Sequence, residues 1–467
     1  MAPERVRCRR AGMRSGVRRL SFVFGSLSVL SACGGGGGGG APAAPLVALL
    51  AEPAAFAPGA TVTLRPYFPG AAARIEPFVG PVESGRSYVV GPVGADVTFT
   101  LVVTTPAGDE RRSLAVPLRY RERVQELPPN PIARTRAGAA QLADGSVLLV
   151  GGSSSSSLAW ANSERLALVA GQLVGEPVGE LALGRSDSTL VLQPNGSVLT
   201  FGGNTNSSQF ADATRVEEWT PALRAWSIRG DLRCNRNRHT ATRLADGRVL
   251  LAGGLAIGPL ADRDAELWVP GVGAEAPANE MVVRRAAHTA HRMADGRVLL
   301  VGGYDLGTGA AVARCEWFDP TTSTFAPGPL LTTARFYHAV VPLADGRLLA
   351  IGGEDEGIQL RASAELYDPA TGTWAPTGSL QRARTDVRAV RLATGAVLVV
   401  GGVDGDGSAT GAIEQWSPAT GQWRPWAASL PGARAGHAVF ALPDGRVLVL
   451  GGDPSNGFPD GRQFVLD

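Results

Sequence analysis

Seven arginines occupy one repeated place in the chain, each ten residues before a turn: Arg134, Arg185, Arg236, Arg285, Arg335, Arg384 and Arg434. A guanidinium is a planar fork of donors, so such a series can grip carboxylates or line an anion site. Glutamates recur at matching spacing: Glu164, Glu217, Glu266, Glu316, Glu365 and Glu414. Because the arginine belongs to the repeat itself, the preferred reading is structural, each Arg-Glu pair tying one repeat to the next. An anion site facing a central channel is the second reading. Histidine follows the arginine by three residues in four copies, at His239, His288, His338 and His437, while Ala137, Ser188 and Val387 replace it elsewhere. One histidine per repeat is spread around a ring, whereas a metal needs ligands converging on a point, so no metal is expected.

Acids gather one or two residues past a Gly-Gly pair, at Asp305, Asp355, Asp404 and Asp453. Asp404-Gly405-Asp406 invites a calcium reading, but Ala409 and Gln415 stand where an EF-hand loop has Gly and Glu. Together with Trp160 and Tyr304, these acids are expected to contact a ligand from solvated loops. No Ser-His-Asp signature or carboxylate pair stands out, so no catalytic residue and no cofactor is expected.

The elements that position these residues follow from the repeat. Gly-Gly closes an apolar run at Gly151-Gly152, Gly202-Gly203, Gly253-Gly254, Gly302-Gly303, Gly352-Gly353, Gly401-Gly402 and Gly451-Gly452, at intervals of 49 to 51 residues. Seven copies at that period predict a propeller or array. In each copy an alternating strand runs to an Asp-Gly turn, such as Asp345-Gly346, and an apolar strand returns to the glycine pair. Asp-Gly predicts a two-residue hairpin with both turn positions at positive φ, and Thr394-Gly395 departs from that chemistry. A third strand carries Glu-x-aromatic, as in Glu365-Leu366-Tyr367, and a Pro-containing turn leads to a fourth bearing Trp226, Phe325, Trp374 or Trp423. Four antiparallel strands per fifty residues make one blade. The last copy stops after its third strand, so Arg123 to Leu127 is expected to supply the fourth and protect an otherwise bare edge.

Gly-Gly, Glu-x-aromatic, the DPATGTW turn and a following arginine resemble the kelch repeat over residues 122–467. The resemblance implies an all-β chain built on a seven-bladed propeller of the galactose oxidase-like superfamily. In it the glycine pair lets backbone approach a neighbouring blade, and the aromatics fill the gaps between blades. It also raises an enzyme alternative, a copper-radical oxidase with two Tyr and two His around copper and one Tyr joined to Cys. The repeats run to the end of the chain, where that oxidase carries a further C-terminal domain, and neither Tyr304 nor Tyr337 has a cysteine partner in view.

Ahead of the repeats, residues 45–121 read as short strands between Gly/Pro turns, which suggests a small immunoglobulin-like β-sandwich acting as a spacer. Residues 1–33 read as an export signal: a start rich in arginine, an apolar core from Leu20 to Leu30 too short to span a bilayer, and Leu30-Ser31-Ala32-Cys33. That ending resembles the lipobox of bacterial lipoproteins, which implies lipidation at Cys33 and a place on the outer membrane or cell surface. Gly34 to Gly40 open a tether over residues 34–44. The signal carries seven of 44 basic residues and one of 42 acidic ones, so its removal leaves 37 against 41 and shifts net charge from +2 to −4. That balance excludes a nucleic-acid partner. Of the two cysteines left, Cys234 and Cys315 fall in different repeats and are not expected to meet. The expected function is a surface-anchored binding or scaffold module, recognising a protein or glycan through the loops after each Gly-Gly. Those loops cover residues 153–163, 204–216, 255–265, 304–313, 354–363 and 403–412, and they vary while the frame stays fixed.

Overall fold

The computed structural model describes residues 47–69, 72–154, 159–205, 214–255, 265–305, 307–454 and 459–467. The export signal, Cys33 and the glycine tether lie outside the described residues.

Alternation of apolar and polar residues governs the N-terminal sheets. In Val62–Tyr67 every second side chain is buried, and the same period runs through Ala73–Glu76. Ala48–Glu52, Val62–Tyr67 and Tyr88–Val90 form one antiparallel sheet. Gly80–Val82, Ala73–Glu76, Val97–Thr105 and Gly108–Val116 form a second. Both sheets contribute to one core around Phe56, Val62, Leu64, Ile75, Phe99 and Leu101.

From Val124 onward the described residues carry seven four-stranded antiparallel sheets in succession. One of them shows the build: Ala339–Pro342, Leu348–Ile351, Ala364–Asp368 and Thr373–Thr377 lie side by side. The second strand of each sheet is buried at every position, and apolar at all of them but Thr200, because neighbouring sheets cover both of its faces. Third- and fourth-strand aromatics fill the seams: Trp416 and Trp423 pack against Leu349 and Ile351 of the preceding sheet. The chain's last strand, Gln463–Leu466, pairs with Val124–Leu127, ahead of the first repeat.

The short turns differ from the two-residue hairpin predicted. Leu343 N–H reaches Arg347 O at 2.8 Å and Gly346 N–H reaches Leu343 O at 3.2 Å. These bonds enclose three residues, Ala344, Asp345 and Gly346, and only the glycine has positive φ, at 86°. The aspartate accepts the Arg347 N–H at 3.1 Å instead of adopting a left-handed backbone. The Thr394-Gly395 turn closes its backbone in the same way: Gly395 takes the left-handed place, and Leu392 N–H still reaches Ala396 O at 2.8 Å.

The N-terminal pair of sheets contacts the Asp-Gly face. Gly59 N–H donates to Asp444 O at 2.9 Å, and the Tyr120 hydroxyl donates to Gly445 O at 2.5 Å. Gly94 lies so near Pro443 that a Cβ there would meet its carbonyl oxygen at 2.0 Å.

Candidate functional site

Every ring arginine is buried, with a side chain no more than 1% exposed. Arg335 shows the arrangement: Nη2 meets Glu365 Oε1 at 2.7 Å, and Nη1 donates to the carbonyls of Gly352 at 2.8 Å and Ser363 at 2.9 Å. Burial pulls its guanidinium below the usual range, and Glu365 opposes that shift. Arg134, Arg185, Arg236, Arg285 and Arg384 meet Glu164, Glu217, Glu266, Glu316 and Glu414 in the same way. In the last copy Phe464 takes the register position of the glutamate, opposite Val449. There Arg434 lies over the Phe464 ring at 4.7 Å and meets Asp460 at 3.4 Å.

These ion pairs close within one sheet, which corrects the expectation that they tie sheets together. Backbone makes the tie. The second glycine of each pair donates to the ring arginine of the next sheet: Gly152 to Arg185 O at 2.9 Å, Gly203 to Arg236 O at 2.9 Å, and onward to Gly452 with Arg134 O at 3.0 Å. In five copies the glutamate joins in through its second oxygen, which accepts a backbone N–H from the linker entering its sheet, as Glu217 does from Ala182 at 2.7 Å; Glu164 accepts the Asn130 side-chain amide instead, at 2.7 Å.

The histidines stand in the seams between sheets. His239 shares a hydrogen bond with Thr189 at 2.9 Å and His288 with Thr240 at 3.0 Å, while His437 Nε2 donates to Val400 O at 3.1 Å. Each bond crosses to the preceding sheet. Burial lowers His239, His338 and His437 from the usual 6.5 to about 3, and it lowers His288 as well. An unfolded chain binds these protons near pH 6.5 and the folded chain refuses them, so stability is full above that pH and falls as acid is added. We expect the melting temperature to drop steadily between pH 6.5 and about 3. His338→Val, copying Val387 of the next sheet, is expected to flatten that slope. An unchanged slope in the variant would contradict the account.

Two residues after each ring arginine the backbone turns left-handed. The position holds Arg136, Asp187, Arg238, Ala287, Tyr337, Asp386 and Gly436, with φ between 49° and 63° in all seven. Six of these are non-glycine residues in a conformation that is uncommon for them. Bonds between successive members hold it: Asp187 N–H to Arg136 O at 2.9 Å, Ala287 N–H to Arg238 O at 3.0 Å and Arg136 N–H to Gly436 O at 3.0 Å. All seven line one cavity of about 620 Å³, open on the Gly-Gly loop side.

Charge is dense there. Arg136 lies 4.0 Å from Asp187, and Arg388 pairs with Asp386 at 2.9 Å. Asp386 also accepts Gly436 N–H at 2.6 Å. Arg238 lies over the Tyr337 ring at 5.2 Å, and Tyr337, Phe336 and Tyr304 continue as an aromatic chain. Burial raises the carboxyls of Asp187 and Glu354 above the usual range.

Of the six expected ligand contacts, Asp453 lines this cavity and the other five lie outside its lining. Asp305 accepts Gly307 N–H at 2.8 Å and the Thr308 hydroxyl at 3.0 Å. Asp355 accepts Gly357 N–H at 3.0 Å and pairs with Arg361. Both acids thus hold their own loops. Asp404 leans on Asp406, which raises its carboxyl further after burial has done so. Trp160 is 37% exposed, and Tyr304 is half-buried against Phe336. Cys234 and Cys315 form no disulfide. The left-handed positions do carry a signal in the sequence: a fixed offset of two residues from the repeated arginine, filled by five residue types across seven copies.

Residues 335–381 match the Kelch motif. No curated protein matches the sequence. Among solved structures, the chain is similar to a fungal alcohol oxidase of the AA5 family in complex with copper, with a TM-score of 0.58 at 15% identity over 74% of this chain and 75% of that one. It is also similar to YjhT, with a TM-score of 0.50 at 14% identity over 64% of this chain and 99% of that one. At such identities the likeness speaks for the fold alone, and together with the sheet order and the Kelch motif it makes this chain a kelch-type β-propeller.

Proposed function

We propose that the protein is a surface-anchored binding module: a seven-bladed propeller, preceded by an immunoglobulin-like spacer, that takes a protein or glycan ligand at the mouth of its axial cavity. One observation carries this reading. The same backbone conformation, two residues after a buried arginine in every copy, holds an assortment of charged, aromatic and small side chains around a single opening. A fixed frame with varied tips is how recognition is mounted on repeat folds. The basic start, apolar core and Leu30-Ser31-Ala32-Cys33 support export and lipidation at Cys33. Contacts of the first domain with the Asp-Gly turns support a spacer role, since they engage the face opposite the mouth.

The copper-radical oxidase alternative does not fit the residues at the mouth. Tyr337 is covered by Arg238, and Tyr304 packs on Phe336. His239 and His288 turn Nε2 toward threonine hydroxyls, and His437 turns its own toward a backbone carbonyl, all in the seams.

A soluble form beginning at Ala41 tests the proposal on a glycan array and in a pull-down. A ligand whose binding is lost in Arg238→Gln is the expected result. A ligand retained by that variant places recognition elsewhere.

A further inference from the structure

Phe78 stands at the tip of the hairpin that joins Ala73–Glu76 to Gly80–Val82, 73% exposed and with a φ of 79°. A bulky side chain is uncommon in that left-handed region, and a phenylalanine in water forgoes the gain of burial, so packing within the chain does not account for the arrangement. Val89, 69% exposed, faces the same groove of about 620 Å³, whose nine lining residues, Phe78, Val79 and Tyr88 to Gly94, carry no charge. Strand Tyr88–Val90 ends its sheet: Val62–Tyr67 pairs with it on one side, and among the described residues no strand pairs with it on the other. Leu50 and Tyr67, both exposed, share the outer face of this sheet with Val89, since Ala48 lies opposite Tyr67, Leu50 opposite Arg65 and Thr63 opposite Val89. The charges on that face are Glu52 and Arg65, one of each sign.

Resting on the reading of Cys33 as lipidated, we infer that this apolar edge docks on the lipid bilayer that holds the anchor, with Phe78 and Val89 set among the acyl chains at its surface. Thirteen residues, 34–46, separate Cys33 from Val47, and at full extension they span no more than about 45 Å. Val47 is buried in the core of the same two sheets, and it leads directly into Ala48–Glu52, which lies two strands, roughly 10 Å, from Tyr88–Val90. A lipid-anchored chain therefore keeps the groove within reach of the membrane at all times, which raises the local concentration of lipid far above that of any dissolved partner. Aromatic and aliphatic side chains settle at the boundary between headgroups and acyl chains, and a face without net charge needs no particular headgroup there. An extended peptide or a second copy could also add to the edge of Tyr88–Val90, but neither is held close by the chain itself. Because the N-terminal sheets engage the Asp-Gly turns, bilayer docking holds the propeller by the face opposite its mouth.

The test is hydrogen exchange of the full lipidated chain in vesicles of phosphatidylethanolamine and phosphatidylglycerol, set against the soluble chain beginning at Ala41. Slowed exchange over residues 77–94 in the vesicles, persisting as salt is raised, is the expected result. A Phe78→Ser, Val89→Ser double variant is expected to lose that protection while remaining anchored. Leu223→Ser, an exposed apolar residue on a propeller turn, serves as the unchanged control. Circular dichroism melting of each variant separates lost docking from lost fold. Unprotected residues 77–94 in a chain whose mass shows the lipid overturn the docking and leave the anchor standing. Protection that salt removes, or that appears in the soluble chain without lipid and rises with its concentration, also overturns it; the second result assigns the edge to another copy of the chain. A mature chain without lipid at Cys33 overturns both the docking and the anchor.

Discussion

Arg335→Met is expected to destabilise the folded chain by about 3–5 kcal/mol, because it strands a carboxylate in a dry interior. Glu365 is 1% exposed, and it would keep backbone donors from Thr332 and Thr333 while losing its cation. The carbonyls of Gly352 and Ser363 would lose their donor in the same step. The equivalent change in the last copy, Arg434→Met, is expected to cost less, about 1–2 kcal/mol. Its carboxylate, Asp460, is 27% exposed and can turn to water, and the face of Phe464 accepts a methionine as readily as a guanidinium. A double change of Arg335→Met with Glu365→Leu is expected to recover much of the loss, since replacing both members of a buried pair leaves no bare charge. Urea titration of the three variants checks the order. Equal losses for Arg335→Met and Arg434→Met would show that the glutamate is not what makes the arginine necessary.

Gly202→Ala is expected to lower stability by about 3–5 kcal/mol, combining backbone strain with overpacking. Its φ is 58°, and an added Cβ would sit 2.2 Å from Arg236 O and 2.7 Å from the His239 ring. That carbonyl accepts the Gly203 N–H that joins one sheet to the next, so the methyl strikes the tie itself. Gly247→Ala makes the comparison. Its φ of 91° is equally foreign to alanine, yet nothing lies within 4 Å of the new Cβ. The cost expected there is about 1 kcal/mol, from conformation alone. Thermal melting of both variants distinguishes close approach from φ, and similar losses would mean that the pair is kept for its conformation only.

The frame was legible because each of its contacts repeats with the chain. The Gly-Gly intervals, the arginine offset and Glu-x-aromatic all recur where the same bond recurs, and the strand order follows from hairpins joined in sequence. Arg123 to Leu127 could be placed because a bare edge after Gln463–Leu466 calls for a partner. Spacing does not tell whether an arginine meets the glutamate of its own sheet or of the next, and the pairs turned out to close within sheets. The Asp-Gly turn departs from expectation for a related reason: the dipeptide suits two turn types, and the bonds between Leu343 and Arg347 decide between them. The cavity was the least legible part. Arg136, Asp187, Arg238, Tyr337 and Asp386 come from five repeats, follow no single residue type, and gain meaning only when the ring brings them together. Of the acids beside the glycine pairs, Asp305 and Asp355 spend their oxygens on their own loops, which spacing alone does not show.

The central claim, that ligand is held at the axial mouth and not on the surrounding loops, reduces to one comparison. For a ligand found with the soluble chain, affinity is measured in Arg238→Gln and in Asp355→Asn, with each fold checked by melting. The account predicts a loss of about tenfold or more for the first and wild-type affinity for the second. Wild-type affinity in Arg238→Gln with a loss in Asp355→Asn would contradict it.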